Sequence, residues 1–365
     1  MLVQIDFEKK PLLFTSPLEV ITCREPAKLA TTFTAMEKAL AAGYYLAGFI
    51  SYEAGYAFET KLKDKDHYDF PLVQMGVYHA PSTKSSVACR LPRAKSRGLS
   101  SVVSNPTLNL TREEYYANIG RIKHYLEIGD TYEITYCVKF RFETNDQPYA
   151  LYSELLRKQP VPYPAYIETD RYKLLSLSPE LFMKKEGSFI TTKPMKGTWP
   201  RSRDPFGGLR LHFDGKNRAE NVMIADLLRN DLGRIGSNVR APKLFEVKRY
   251  TTLYQMTSTV TATIPTDIPL YQLFKALHPS GSVTGAPKIR SMEIIRELEN
   301  EERKIYTGAI GYITPNKDLF FNVPIRTILL EGERGEMGVG GGIVWDSTPE
   351  GEFEECRIKS RFLMD

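Results

Sequence analysis

The chain lacks most of the features that quickly reveal a function. Its four cysteines, Cys23, Cys89, Cys137 and Cys356, are far apart, with no C-x-x-C spacing and no grouping of metal ligands. A disulfide scaffold is therefore excluded, and free thiols in a reducing compartment are expected. No apolar run approaches the roughly 18 residues of a membrane-spanning helix. The opening residues, Met1-Leu2-Val3-Gln4-Ile5-Asp6-Phe7-Glu8, lack the basic start and long apolar core of a signal peptide. A cytoplasmic soluble protein is the expectation. There is no G-x-x-x-x-G-K-[ST], and the one glycine run does not open a helix in the dinucleotide-binding pattern, so nucleotide binding finds little support. A concentrated basic patch is also missing. The net charge is +5 over 365 residues, and the densest basic stretch, 84–97, is short, Ser-rich and expected to be a solvated loop. No repeat of 20–50 residues is visible.

What remains is an ordinary folded composition, 42% hydrophobic and 25% charged, with 21 Tyr and 18 Phe to build a core. The length suggests one large or two fused domains, with a boundary near 105 in the Pro-, Ser- and Lys-rich stretch 81–108. A helix is expected near 26–42, ending at Gly43. A second starts at Thr111, where Thr111 and Glu114 form a capping box, and Tyr115, Ile119, Ile122 and Leu126 share one face up to Gly129. The period then changes to two. Tyr132, Ile134, Tyr136, Val138, Phe140 and Phe142 alternate with Glu133, Thr135, Cys137, Lys139 and Arg141, which predicts a strand with one buried and one polar face. Further helices are expected over 216–232 and 286–299, the latter with Pro287 in its first position. Strands fit 173–178, 188–193, 252–264, 306–313, 318–330 and 336–345. Consecutive strands joined by short turns indicate an α+β protein with large antiparallel sheets rather than a doubly wound fold.

Several segments carry chemistry. Lys196, in Thr192-Lys193-Pro194-Met195-Lys196-Gly197-Thr198, is a candidate nucleophile if its surroundings lower its pKa. Glu220 lies early in an apolar helix, whereas Asp226, Arg229 and Asn230 of the same helix are expected to pair among themselves. Glu352, Glu355 and Lys359 fall on one helical face after the glycine run Gly338-Val339-Gly340-Gly341-Gly342, whose bare backbone permits close approach of a ligand. Carboxylates from two helices suit Mg²⁺, a hard cation, although a solvated salt-bridge face is the plainer alternative. His278 opens a Gly/Ser loop leading into a helix, and Arg326 interrupts an apolar strand and needs an anion, either a substrate carboxylate or a neighbouring Glu.

These segments, in this order, closely resemble the chorismate-utilising enzymes, the family that includes anthranilate synthase large subunits, aminodeoxychorismate synthase component I, and isochorismate and salicylate synthases. The resemblance is dense from about residue 111 to the C-terminus. It rests on Ser178-Pro179-Glu180, Pro194-Met195-Lys196-Gly197-Thr198, Ala219-Glu220 with Arg229-Asn230-Asp231, the stretch 281–288 and the stretch 340–359. Residues 1–105 resemble the family's N-terminal region, and 106–365 its chorismate-binding catalytic domain.

The resemblance implies antiparallel β-sheets packed as a sandwich with helices outside. It implies Glu220, Glu352 and Glu355 at Mg²⁺ sites, Glu180 and His278 at acid–base positions, and Thr198, Tyr306, Arg326, Gly342 and Lys359 at substrate-binding positions. Lys196 marks the branch that sets nitrogen on C4: a first nucleophile adds at C2 and leaves as ammonia attacks C4. The implied reaction turns chorismate and ammonia into 4-amino-4-deoxychorismate, toward 4-aminobenzoate and folate. No glutamine-hydrolysing segment is recognised in the sequence, so ammonia is expected from a separate glutamine amidotransferase subunit. An anthranilate-forming enzyme and a non-catalytic chorismate- or tryptophan-binding relative are the alternatives. One position departs from the family pattern: Glu133 stands where the aminating members usually have Gln and the isochorismate and salicylate branch has Lys.

Overall fold

Strand pairing in this protein is antiparallel throughout, and it builds two large sheets. The structure, a computed structural model, describes residues 1–82, 104–200, 204, 206–249, 253–360 and 363. Among these, one sheet has nine strands and the other ten. The basic stretch 84–97 and Cys89 lie outside the described residues; Cys23, Cys137 and Cys356 are free and buried.

Alternation within the strands explains why the sheets stack. In Tyr45–Ile50, Ala47 and Phe49 point one way and Leu46 and Ile50 the other. Ala47 and Phe49 meet Ala165, Ile167, Leu174 and Leu329 of the nine-stranded sheet, forming a core between the sheets. Leu46 and Ile50 face the helices Leu29–Ala41, Gly215–Gly233 and Leu270–Leu277. On the far side, Ile134, Tyr136, Val138, Ile328 and Leu330 pack against Arg112–Glu127, Pro148–Lys158 and Lys288–Leu298. The result is a helix–sheet–sheet–helix sandwich, as the sequence implies.

Among the described residues, the segment before residue 105 has no sheet of its own. Leu2–Ile5 and Leu12–Phe14 extend the nine-stranded sheet, while Glu19–Cys23, Tyr45–Ile50 and Val73–Tyr78 extend the ten-stranded one. The end of the stretch read as a loop, Ser104–Leu108, is a strand on Glu133–Glu143.

Several local expectations are corrected. The first helix is split into a 3₁₀ turn, Pro26–Lys28, and the α-helix Leu29–Ala41. Pro287 caps its helix in an extended conformation rather than occupying the first turn, because Gly285–Ala286 pairs as a short strand with Glu133 and Ile134. The run 318–330 is two strands, Leu319–Asn322 and Thr327–Glu331, which belong to different sheets. Glu133–Glu143 is buried on both faces up to Phe140, not on one. Its polar face is roofed, and its backbone is satisfied by side chains: Glu299 accepts from the Cys137 N–H, Asn109 accepts from the Lys139 N–H, and Arg303 donates to the Thr135 carbonyl. The capping box at Thr111 and Glu114 is present as read.

Phe49 offers a test of the sheet interface. It is fully buried, stacks on Phe70 at 5.3 Å and meets Tyr172 edge-on. Phe49→Ala should cost about 3–5 kcal/mol of stability in urea unfolding, as for other large-to-small core changes; a loss below about 1 kcal/mol would mean that the two sheets do not depend on this contact.

Candidate active site

The chain crosses from one sheet to the other twice at the same place. Pro179 and Glu180 join Lys173–Ser178 of the nine-stranded sheet to Leu181–Glu186 of the ten-stranded one, and residues 323–326 make the reverse crossing. The Val323 N–H donates to the Glu180 carbonyl at 3.1 Å, and the Leu177 N–H donates to the Arg326 carbonyl at 3.1 Å, which ties the crossings together. Candidate residues from both sheets gather beside this junction.

Glu180 is buried, and its carboxylate accepts from the Ser282 hydroxyl. Burial raises its pKa to about 7, against the lowering effects of Ser282, Lys196 and the Met195 N–H. It is therefore a carboxyl able to hold or release a proton near neutrality. The stretch 281–288, read as a ligand-binding loop, supplies Ser282 from a buried 3₁₀ turn, Gly281–Val283.

Lys196 lies on the strand Met195–Pro200, its side chain 10% exposed, and forms an ion pair with the fully buried Glu133 of the opposite sheet. Burial pulls its pKa down, but Glu133, Glu220 and Glu180 outweigh burial and leave it raised. The expectation of a lysine made nucleophilic by a lowered pKa is thus corrected: Lys196 rests as an ammonium.

The glycine run is the end of the strand Arg334–Ile343, and it passes through the middle of the group. A Cβ on Gly342 would overlap Glu133 Oε1 and come within 2.9 Å of Lys196 Nζ. One residue earlier, a Cβ on Gly341 would lie 3.2 Å from Glu352 Oε2 and 3.5 Å from Glu355 Oε1. Successive residues of a strand face opposite ways, so the acidic helix Pro349–Ser360 lies across the strand from Lys196. Lys359 donates to the Gly340 carbonyl at 2.7 Å and pairs with Glu355 at 2.6 Å, which holds the Glu355 carboxyl below its usual range.

Glu220 has Lys216 at 4.0 Å, and burial with Glu133 and Glu352 nearby brings its pKa to about 7 despite Lys196. Burial, then Glu355, raises Glu352. Glu220, Glu352 and Glu355 do not close into a cage: among the described residues no three carboxylate, imidazole or thiol groups converge well enough to chelate an ion.

Other candidates are placed differently from their sequence reading. His278 packs edge-on against Phe58 and Phe182, with its Nε2–H donating to the Ser51 carbonyl at 2.8 Å. Burial lowers its pKa to about 3, so the ring is neutral, and Nδ1 has no hydrogen-bond partner. No contact among the described residues joins it to Lys196 or Glu180. Arg326 is not inside a strand but in the crossing, half-buried, with a left-handed φ of 50°. Tyr306 likewise precedes its strand, Ala309–Ile313, and its ring covers Gly338. The Thr307 N–H donates to the Pro324 carbonyl, which places the Tyr306 turn beside the Arg326 crossing. Thr198 is exposed. Asp226 and Arg229 pair with each other, as expected.

Sequence reasoning missed Gln255. It is 1% exposed, neither amide atom has a hydrogen-bond partner, and it pairs across strands with Thr198. An unpaired buried amide costs stability unless something meets it. The available signal was a glutamine in the alternating strand 253–263.

A model of the family described as chorismate binding enzyme matches residues 9–365. The chain belongs to the chorismate-binding enzyme family. It is 37% identical over 253 residues to aminodeoxychorismate synthase component 1 of Escherichia coli (strain K12), covering 68% of this chain and 56% of that protein. It is 40% identical over 261 residues to the chloroplastic aminodeoxychorismate synthase of Arabidopsis thaliana, covering 69% of this chain and 28% of that one. The matched segments thus span about half or less of these relatives. The fold is that of anthranilate synthase component I from Streptococcus pneumoniae TIGR4, with TM-score 0.83, 22% identity, and coverage of 97% and 92% of the two chains. No helix among the described residues is long and apolar enough to cross a membrane.

The raised Glu180 predicts a pH signature for this chorismate-binding fold. Its folded pKa, about 7, exceeds the unfolded value of 4.5. The stabilisation from its bound proton is therefore complete below pH 4.5 and lost as pH rises through 7. Wild type should lose stability relative to Glu180→Gln across that window in urea titrations; a difference that stays constant would show that Glu180 is ionised throughout.

Proposed function

We propose that the chain aminates chorismate at C4, giving 4-amino-4-deoxychorismate, with ammonia as the nitrogen source. The observation that carries this reading is Lys196, a nearly buried amine set among Glu133, Glu180 and Glu220. The carboxylates provide for proton traffic, and the amine provides a nucleophile that an enzyme adding ammonia directly at C2 has no use for.

In this mechanism the Lys196 amine bonds to C2, both double bonds of the ring diene shift by one position, to C1–C6 and C4–C5, and the C4–O bond breaks. Glu180, with a pKa near 7, supplies the proton with which hydroxide departs as water. Ammonia then bonds to C4, both double bonds return, the Nζ–C2 bond breaks to restore Lys196, and the new C4 nitrogen gives a proton back to Glu180. Arg326 and Tyr306, on adjoining turns, are the proposed partners of the enolpyruvyl carboxylate, with the Gly342 backbone beside them. Gln255 and Thr198 are further polar groups on the Lys196 side.

Mg²⁺ belongs to the same proposal. The donors fit it: Glu220 and Glu352 are carboxylates raised by burial, with Glu352 adding to Glu220 and Glu355 to Glu352, and Glu220 meets Lys216 only at 4.0 Å. Because no three ligands converge, the ion would keep several waters, as Mg²⁺ commonly does. Glu220, Glu352 and Glu355 would hold it, and its charge would offset that of the substrate's ring carboxylate. Ammonia would come from a glutamine amidotransferase partner, and the chain would work in the cytoplasm.

Two experiments test this reading. Lys196→Ala should abolish the 4-amino product and leave a slow reaction in which ammonia attacks C2, giving the 2-amino isomer; 4-amino product at an unchanged rate would remove Lys196 from the mechanism. Chelation of Mg²⁺ should abolish turnover, and Glu220→Gln should depress it by at least about tenfold, since it deletes one anionic ligand. Full turnover in metal-free buffer would refute the metal assignment.

A further inference from the structure

The ion pair between Lys196 and Glu133 poses a chemical problem. An ammonium has no lone pair, so Lys196 must lose a proton before it can bond to carbon. Glu180 and Glu220 act on it only through their charge, and they favour the ammonium. Glu133 is the group that Lys196 touches.

We propose that Glu133 takes the proton from Lys196 when substrate enters, and returns it when the lysine is released. This rests on the proposed lysine route and adds the residue that sets it in motion. Three features of the geometry favour it. Glu133 is fully buried, and its second oxygen, Oε2, has no hydrogen-bond partner, so the carboxylate is poorly solvated. Its main chain is pinned: the Thr131 and Ser291 hydroxyls donate to its carbonyl, and Gly285–Ala286 pairs alongside. Gly342 supplies the space in which the carboxylate and the amine meet.

The transfer conserves charge. An ammonium and a carboxylate become an amine and a carboxylic acid, and no proton enters from or leaves to solvent. A substrate that covers the remaining 10% exposure of Lys196 withdraws water from the ammonium, the one ion of the pair that still reaches it. Desolvation disfavours an ion pair relative to its neutral form, so occupancy itself drives the transfer.

The test follows the lysine adduct by acid quench and mass spectrometry, using chorismate and Mg²⁺ without ammonia so that the ammonia equilibrium does not intrude. In Glu133→Gln the adduct should form about 100-fold more slowly near pH 7, in the range of a lost general base. Its rate should rise about tenfold per pH unit as solvent takes over the proton, whereas the wild-type rate should stay nearly flat. Chorismate affinity should be unchanged, and Glu133→Asp should keep the wild-type pH profile at reduced rate. An adduct in Glu133→Gln at the wild-type rate, or a slower one with a flat profile, would overturn the role of Glu133 while leaving the lysine route intact. Wild-type protein that makes the 4-amino product with no adduct at all would overturn the lysine route, and Glu133 with it.

Discussion

The arrangement depends on a strand with almost nothing on it. Between Gly338 and Gly342 the only side chain is that of Val339, which points into the helix-side core. The bare backbone lets three groups approach one strand: Tyr306 over Gly338 and the Lys196–Glu133 pair over Gly342 on one face, and the acidic helix over Gly341 on the other. At about 3.3 Å per residue these points span roughly 13 Å of strand. Any side chain here would separate the groups before a substrate could bind them.

Electrostatics then follows from topology. Glu133 and Gly342 lie on neighbouring strands of the nine-stranded sheet, while Lys196 comes from the ten-stranded sheet and Glu180 from the crossing between the two. Lys196 and Glu133 meet across this junction, and the charges of Glu180 and Glu220 act on the lysine there. Burial alone would raise them all, but Lys196 and Lys359 decide the outcome locally. Glu355, paired with Lys359 at 2.6 Å, goes down, whereas Glu180 and Glu220, the latter with Lys216 only at 4.0 Å, go up to about 7. The same fold therefore provides carboxyls that carry a proton and others that stay ionised, a separation on which acid–base chemistry depends.

Much of this was legible in the sequence, and the failures share a cause. Periodicity located the helix after Thr111, the strand after Tyr132 and the acidic helix face, since each is a local pattern that tertiary packing confirmed. Pairing across distance was not legible. Nothing in the alternation of 132–142 says that its polar face meets Lys196, so a buried strand was read as half-exposed. The split of 318–330 was hidden because both halves are apolar, and only the left-handed bend at Arg326 reveals the change of sheet. That His278 would be buried between aromatic rings from distant segments, with Nδ1 unpaired, was likewise not visible in its Gly/Ser turn. Gln255 was overlooked because a single buried amide leaves no periodic trace.

The crossing between sheets also explains why reactive and recognition groups are found together. A sheet-to-sheet crossing interrupts the ladder, so its backbone groups need partners elsewhere. Here the two crossings supply one another, Val323 to Glu180 and Leu177 to Arg326, and the Ser178 hydroxyl donates to the Val323 carbonyl at 2.5 Å. That mutual bracing fixes the main chain at Glu180 and Arg326. It also couples the site to the sandwich: a slip of one sheet against the other would shift Glu180 and Lys196 relative to Glu133 and Gly342. The inter-sheet core around Phe49, Ala165, Ile167 and Leu329 is therefore as much a device for alignment as for stability.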